Sequence, residues 1–261
     1  MTGAAEVWVD RRKQIAILTL DRPQSRNALS LRLLSMLMTE LGALGADPAL
    51  RCLVITGAGE KAFCAGADLK ERLALTTDQR TVHTSAINDV ALVIEQFPVP
   101  VIAAIRGFAL AGGAELATAC DLRVISDDGV IGFPEVRIGV FPGAGGVIRL
   151  PRLIGAGRAR DLLFTGRRVD AAESLAMGLV DRVVASKEVL ATALALAAEI
   201  ATAAPLAVRA IKQALNDTAG LPTADAGSMV SRLRVPLDAT RDYDEGLRAF
   251  AERRPPTFTG E

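Results

Sequence analysis

Two short stretches, "RCLVITG" (51–57) and "VPVIAAIRG" (99–107), constrain this chain most. Each is a nearly unbroken apolar run closed by glycine, with no alternation of polar and apolar positions. A strand with one face in water alternates, whereas a strand covered on both faces by helices does not. These runs therefore predict a largely parallel sheet inside an α/β fold. The flanking segments agree. "EVWV" and "IAILTL" (6–9 and 15–20) read as a hairpin, and after Ser30, a good N-cap, Leu34, Leu37, Leu41 and Leu44 recur at helical spacing. "LRVIS", "GVIGF" and "LVDRVV" add three short strands, each following a helix-like segment. From about residue 187 the texture changes to Ala/Leu-rich helix, split at Pro205, with no later strand. The expected division is a core domain over 1–200 and a helical region over 201–261.

Charge and composition exclude several functions. The 261 residues carry 30 basic and 30 acidic side chains, so no global field favours nucleic acid or anionic lipid, and aromatic residues for base stacking are few. No apolar stretch approaches the roughly 20 residues of a membrane helix, and the N-terminus lacks a signal-peptide core; a cytoplasmic protein is expected. Cys52, Cys64 and Cys120 are scattered without metal or disulfide spacing and read as core residues. His83 is the one histidine, and it reads as a surface or helix-packing residue, so carboxylates become the candidate acid-base groups. No metal site is expected.

Three glycine-bearing stretches stand at strand-to-helix junctions: "AFCAGADLKE" (62–71), "ALAGGAEL" (109–116) and "GVFPGAGGVIRL" (139–150). None has a nucleotide-phosphate spacing. Glycine permits close backbone approach to a ligand, and a helix start offers free N–H donors with partial positive charge. Taken singly, each glycine can equally serve tight packing. Glu115 is more telling, because a carboxylate on the apolar helix "GGAELATA" is costly to bury unless paired or protonated, and such a group suits acid-base work. Glu135 follows in "GFPEVRIG"; alone it reads as a solvated loop residue, and with Glu115 it could hold a water and shuttle a proton.

Taken in order, "RNALS", "AFCAGADLKE", "IAAIRGFALAGGAELATACDLRV", "GFPEVRIGVFPGAGGVIRLPRLIG", "TGRRVDAAESLAMGLVDRVV" and "EGLRAFAERRPPTF" resemble the crotonase superfamily, the enoyl-CoA hydratases and isomerases, over nearly the whole chain. "FCAGADLKER" and the C-terminus look most similar to its methylglutaconyl-CoA hydratase-like branch. The resemblance implies a spiral of ββα units, with C-terminal helices that build trimers pairing into hexamers. It implies an acyl-CoA substrate and no separate cofactor. The N–H groups of Ala67 and Gly112 would form an oxyanion hole, and Glu115 and Glu135 would be the catalytic pair of a hydratase. CoA would lie along Ser25, Arg26, Ala65, Asp68, Leu69 and Lys70, with Phe250 and Arg253 reaching its nucleotide end, often from a neighbouring subunit. Arg72 or Arg137 could pair with a second substrate carboxylate. The alternatives are a Δ3,Δ2-enoyl-CoA isomerase or another CoA-thioester enzyme of the family, and a noncatalytic acyl-CoA- or RNA-binding member.

Overall fold

The computed structural model describes residues 5–261. A hairpin opens it: β1 (Val7–Arg12) pairs antiparallel with β2 (Ile15–Leu20). After α1 (Leu31–Gly45), capped by the Ser30 side chain on the Leu33 N–H, come β3 (Cys52–Gly57), β4 (Ala62–Cys64), α2 (Leu69–Ala74) and α3 (Thr77–Glu95). Next are β5 (Val101–Ile105), β6 (Phe108–Leu110), α4 (Gly112–Ala119), β7 (Leu122–Ser126) and β8 (Val130–Gly132). A 3-10 turn (Pro134–Ile138) leads to α5 (Gly146–Ile154), α6 (Ala156–Thr165), β9 (Arg168–Asp170), α7 (Ala171–Ala176) and β10 (Arg182–Val184). Four helices finish the chain: α8 (Val189–Ala201), α9 (Pro205–Asp217), α10 (Thr223–Arg234) and α11 (Arg241–Glu252).

The strands form two sheets, one in the order β1-β2-β3-β5-β7-β10 and one in the order β4-β6-β8-β9. Three times in succession, at β3–β4, β5–β6 and β7–β8, the chain sends one strand to the large sheet and the next to the small one, so it winds forward as a spiral. The large sheet is parallel beyond the hairpin.

The glycine-ended apolar runs are explained by two cores. Cys52, Val54, Ile102 and Ala104 face α8, where Val189, Ala193 and Ala197 cover them. The intervening Leu53, Ile55, Val101, Ala103 and Ile105 face the main core with the buried leucines of α1. With successive side chains on opposite faces, a strand that feeds two cores must be apolar throughout.

The helical C-terminal region contains no strand. Lys212 of α9 docks it by donating to the Val99 carbonyl at 3.1 Å and pairing with Asp121 at 2.7 Å. The three cysteines are free and buried, and His83 is a buried helix-packing residue whose Nε2 meets the Leu29 carbonyl at 2.8 Å. Among the described residues no single helix is long and apolar enough to cross a membrane.

Candidate active site

Because β4 and β6 pair in parallel, the turns at their C-terminal ends lie side by side, and the site is built there. The loop 26–30 is tied to β4: the Asn27 side chain donates to the carbonyls of Ala58 and Ala62, and the Ala65 N–H donates to the Arg26 carbonyl. Leu29 and Ala67 form a single parallel bridge, made by Leu29 N–H to the Gly66 carbonyl and Asp68 N–H to the Leu29 carbonyl. In that pattern the Ala67 N–H points away from Leu29, and it has no acceptor among the described residues.

Gly112 opens α4, so its N–H has no intrahelical acceptor. A Cβ placed on Gly112 would lie 3.7 Å from the Ala67 nitrogen, which shows how near the two donors are. Ala111, the residue before, is held at φ 50° and ψ −126°, a strained conformation for a residue with a side chain. The neighbouring glycines divide the two roles open to them. At Gly113 a Cβ would sit 2.2 Å from the Cys64 carbonyl oxygen, so this glycine serves helix-strand contact; at Gly112 the nearest obstacle is the end of the Leu29 side chain at 3.3 Å.

Glu115, in the first turn of α4, is buried, and its Oε1 accepts from the N–H groups of Ala144 (2.7 Å) and Gly146 (2.9 Å). Burial pushes its carboxyl above the ordinary range, while the Gly146 and Ala144 N–H groups and the Arg149 guanidinium pull the other way. Glu135, in the 3-10 turn, is buried too rather than solvated, and neither carboxylate oxygen is hydrogen-bonded to another residue. Burial pushes its pKa up to about 7; its own backbone N–H opposes the shift and the charge of Glu115 adds to it.

Both carboxylates line a cavity of about 790 Å³ together with Arg26, Ala65, Ala67, Leu69 and Gly112. Arg72 and Arg137 are on its wall as well, and so is Arg168, which lies within the "TGRRVDAAES" stretch but to which the sequence assigned no role. Arg72 is committed to the Arg80 carbonyl and the Thr84 hydroxyl, leaving Arg137 without such a partner among the described residues. Other expected residues stand elsewhere. The Asp68 carboxylate caps α2 on the Lys70 and Glu71 N–H groups and pairs with Arg22 at 3.0 Å, so its side chain is spent on the fold. Ser25, Lys70, Phe250 and Arg253 do not line this cavity within their own chain; Phe250, at the end of α11, is 86 % exposed.

The family profile described as "Enoyl-CoA hydratase/isomerase" matches residues 10–261. The chain belongs to the enoyl-CoA hydratase/isomerase family. The crystal structure of an enoyl-CoA hydratase from Bacillus anthracis superposes with a TM-score of 0.97 at 41 % identity, over 98 % of this chain and 100 % of that one. The mitochondrial "Enoyl-CoA hydratase domain-containing protein 2" of Bos taurus is 41 % identical, covering 95 % of this chain and 85 % of its own length. The "Short-chain-enoyl-CoA hydratase" of Clostridium acetobutylicum is 37 % identical over 95 % of each chain. As a crotonase-fold protein, the chain brings together in one cavity, beyond the ends of β4, β6 and β8, two unspent N–H groups and two buried carboxyls.

Proposed function

We propose that this protein hydrates the α,β double bond of an enoyl-CoA thioester. The observation that carries the reading is the pair Glu115 and Glu135, both buried, on the wall of the cavity that the Ala67 and Gly112 backbone also lines. The thioester oxygen accepts from the two N–H groups, aided by the positive end of α4. When water attacks the β-carbon, charge moves onto that oxygen, and donors already in place stabilise it without reorganising. Glu115 takes the proton from the attacking water, since its ionised form is supported by two N–H groups and Arg149. Glu135, with a pKa near 7, is partly protonated at neutral pH and delivers the proton to the α-carbon. One water is added, and the proton returns from Glu115 to Glu135 to reset the pair.

An isomerase moves one proton between two carbons and requires one carboxylate; two buried carboxyls in one cavity favour hydration. The test is a panel of short, long, branched and dicarboxylic enoyl-CoAs followed by loss of the conjugated thioester absorbance. Turnover of a 3-enoyl-CoA to its conjugated isomer, with no hydration of the 2-enoyl form, would overturn the reading.

The finer substrate proposal is a short dicarboxylic enoyl-CoA such as methylglutaconyl-CoA, with Arg137 pairing its second carboxylate at the rim. Arg137 is exposed, so the pairing is screened and its discrimination modest. We also propose that α9 to α11 assemble with further copies of the chain, supported by the exposed Ile211, Leu215, Leu247 and Phe250. Phe250 and Arg253 then serve a neighbour's cavity. A stable monomer in sedimentation at micromolar concentration would overturn this.

A further inference from the structure

We propose that Arg149, held by Glu95, is the positioning residue that fixes the turn 144–146 around the Glu115 carboxylate and so sets the base for catalysis. The inference rests on the hydratase reading above, in which Glu115 is the base.

Arg149 lies on α5 with only 7 % of its surface exposed. One guanidinium nitrogen donates to the Ala144 carbonyl at 2.8 Å, and the other meets Glu95, the last residue of α3, at 2.6 Å. The Ala144 carbonyl stands between the two N–H groups, of Ala144 and Gly146, that bind Glu115 Oε1. Holding that carbonyl therefore holds both donors. Gly145 follows from the same arrangement, since its φ is +94° and a Cβ there would lie 2.1 Å from an Arg149 nitrogen. Gly146 is under the same constraint, because a Cβ would stand 3.1 Å from Glu115 Oε1 and 2.7 Å from the Pro142 side chain. The planar fork of an arginine holds the carbonyl and the carboxylate on two nitrogens at a fixed separation, whereas a lysine offers one nitrogen on a flexible stem and does not set that spacing.

The charged groups facing Glu115 are few. Against α4 pack α3, α5, β4 and β6. From α5 comes Arg149. From α3, Glu95 acts through Arg149, and His83 is spent on the Leu29 carbonyl. The strands β4 and β6, "AFC" and "FAL", bring no charge. Glu135 faces it from the 3-10 turn. Removing Arg149 thus removes the cation that favours ionised Glu115.

The experiment compares the parent with Arg149→Met, Arg149→Lys and Glu95→Ala, each checked for native circular dichroism. Crotonyl-CoA hydration is followed from acid to alkaline pH, together with carboxyl titration of ¹³C-glutamate-labelled protein, Glu115→Gln assigning the resonance. In Arg149→Met, kcat should fall about a hundredfold with KM nearly unchanged, as expected for a base displaced by about 1 Å. Its acid limb and the Glu115 titration should both move up by about one pH unit. In Arg149→Lys the charge remains, so the acid limb stays in place while kcat falls about tenfold. Glu95→Ala should behave as the lysine variant does.

Parent-level kcat with an unmoved Glu115 titration in Arg149→Met overturns the proposal, and so does a raised KM with unchanged kcat. Should Arg149→Met fail to fold, parent-level kcat in both Arg149→Lys and Glu95→Ala overturns it. A parent without hydratase activity sinks the hydratase reading instead, and the carboxyl titration then still decides whether Arg149 governs Glu115.

Discussion

The turn Ala144–Gly146 and the 3-10 turn Pro134–Ile138 each handle one buried glutamate of the same cavity, in opposite ways. The first lends Glu115 two backbone N–H groups and, one helical turn on, a buried guanidinium. The second leaves both Glu135 oxygens without a hydrogen bond from another residue and holds the pKa near 7. Burial raises both carboxyls, but only Glu115 has neighbouring N–H groups and a cation that oppose the rise, and on the hydration reading proposed above this separates identical side chains into a supported base and a poised acid. The contrast also shows that backbone N–H groups can be allotted as selectively as charges: two to Glu115, none from a neighbour to Glu135, and those of Ala67 and Gly112 left unspent toward the cavity.

Abolishing the contrast at its chemical groups should cost most. Glu115→Gln and Glu135→Gln are each expected to fold normally and lose about 10³- to 10⁴-fold in kcat for hydration. Near-parent turnover in either variant would show that the two turns do not divide base and acid between Glu115 and Glu135. Gly66→Ala attacks the other pair of N–H groups. Gly66 has φ +91°, and an added Cβ would stand 2.8 Å from the Ala111 Cβ and 2.9 Å from the Leu110 carbonyl oxygen, displacing the Ala67 peptide. A loss of about 10²- to 10³-fold in kcat is expected, the usual effect of one missing oxyanion donor.

The bare state of Glu135 should be visible in stability. Its folded pKa is raised from about 4.5 to about 7, so its contribution is most favourable at low pH and is lost as pH rises toward and through 7. Glu135→Gln, which cannot ionise, should therefore be more stable than the parent at pH 8, by roughly 3 kcal/mol at most, with the gain vanishing near pH 4. Thermal melts at the two pH values decide it: equal stability at pH 8 would mean that Glu135 is already charged at little cost. The smallest effect concerns the rim. Arg137→Ala should lower kcat/KM for methylglutaconyl-CoA about tenfold or less and leave crotonyl-CoA unaffected, as befits an exposed pair. An equal loss for both substrates would make Arg137 a CoA contact.

Different parts of this architecture were legible to different degrees. The strands β2, β3, β5 and β7 are long enough to show their apolar character, and β3 and β5 show it without alternation because two cores claim them. The strands β4, β6 and β9 have three residues each, too short for any period, yet β4 and β6 lead into the turns that hold Ala67 and Gly112. Glu115 stood out as a carboxylate in an apolar helix. Glu135 read alone as a solvated loop residue, since nothing local to "GFPEVRIG" tells that α6 packs against its turn. Arg149 and Glu95 were invisible as a pair, because 54 positions separate them and each alone is an ordinary charged residue on a helix.

By itself the sequence determined the α/β alternation, the helical C-terminal segments and the chemical inventory: glycines at strand-to-helix junctions, and carboxyls rather than histidines as the acid-base groups on offer. These follow from periodicity and residue type, which are local properties. Tertiary structure alone decided which N–H groups stay unspent, which glutamate is clamped and which is bare, and that Asp68 serves the fold while Arg168 joins the cavity wall. Hydrogen-bond allotment and desolvation depend on segments that meet only after the two sheets have paired, and no local pattern encodes them.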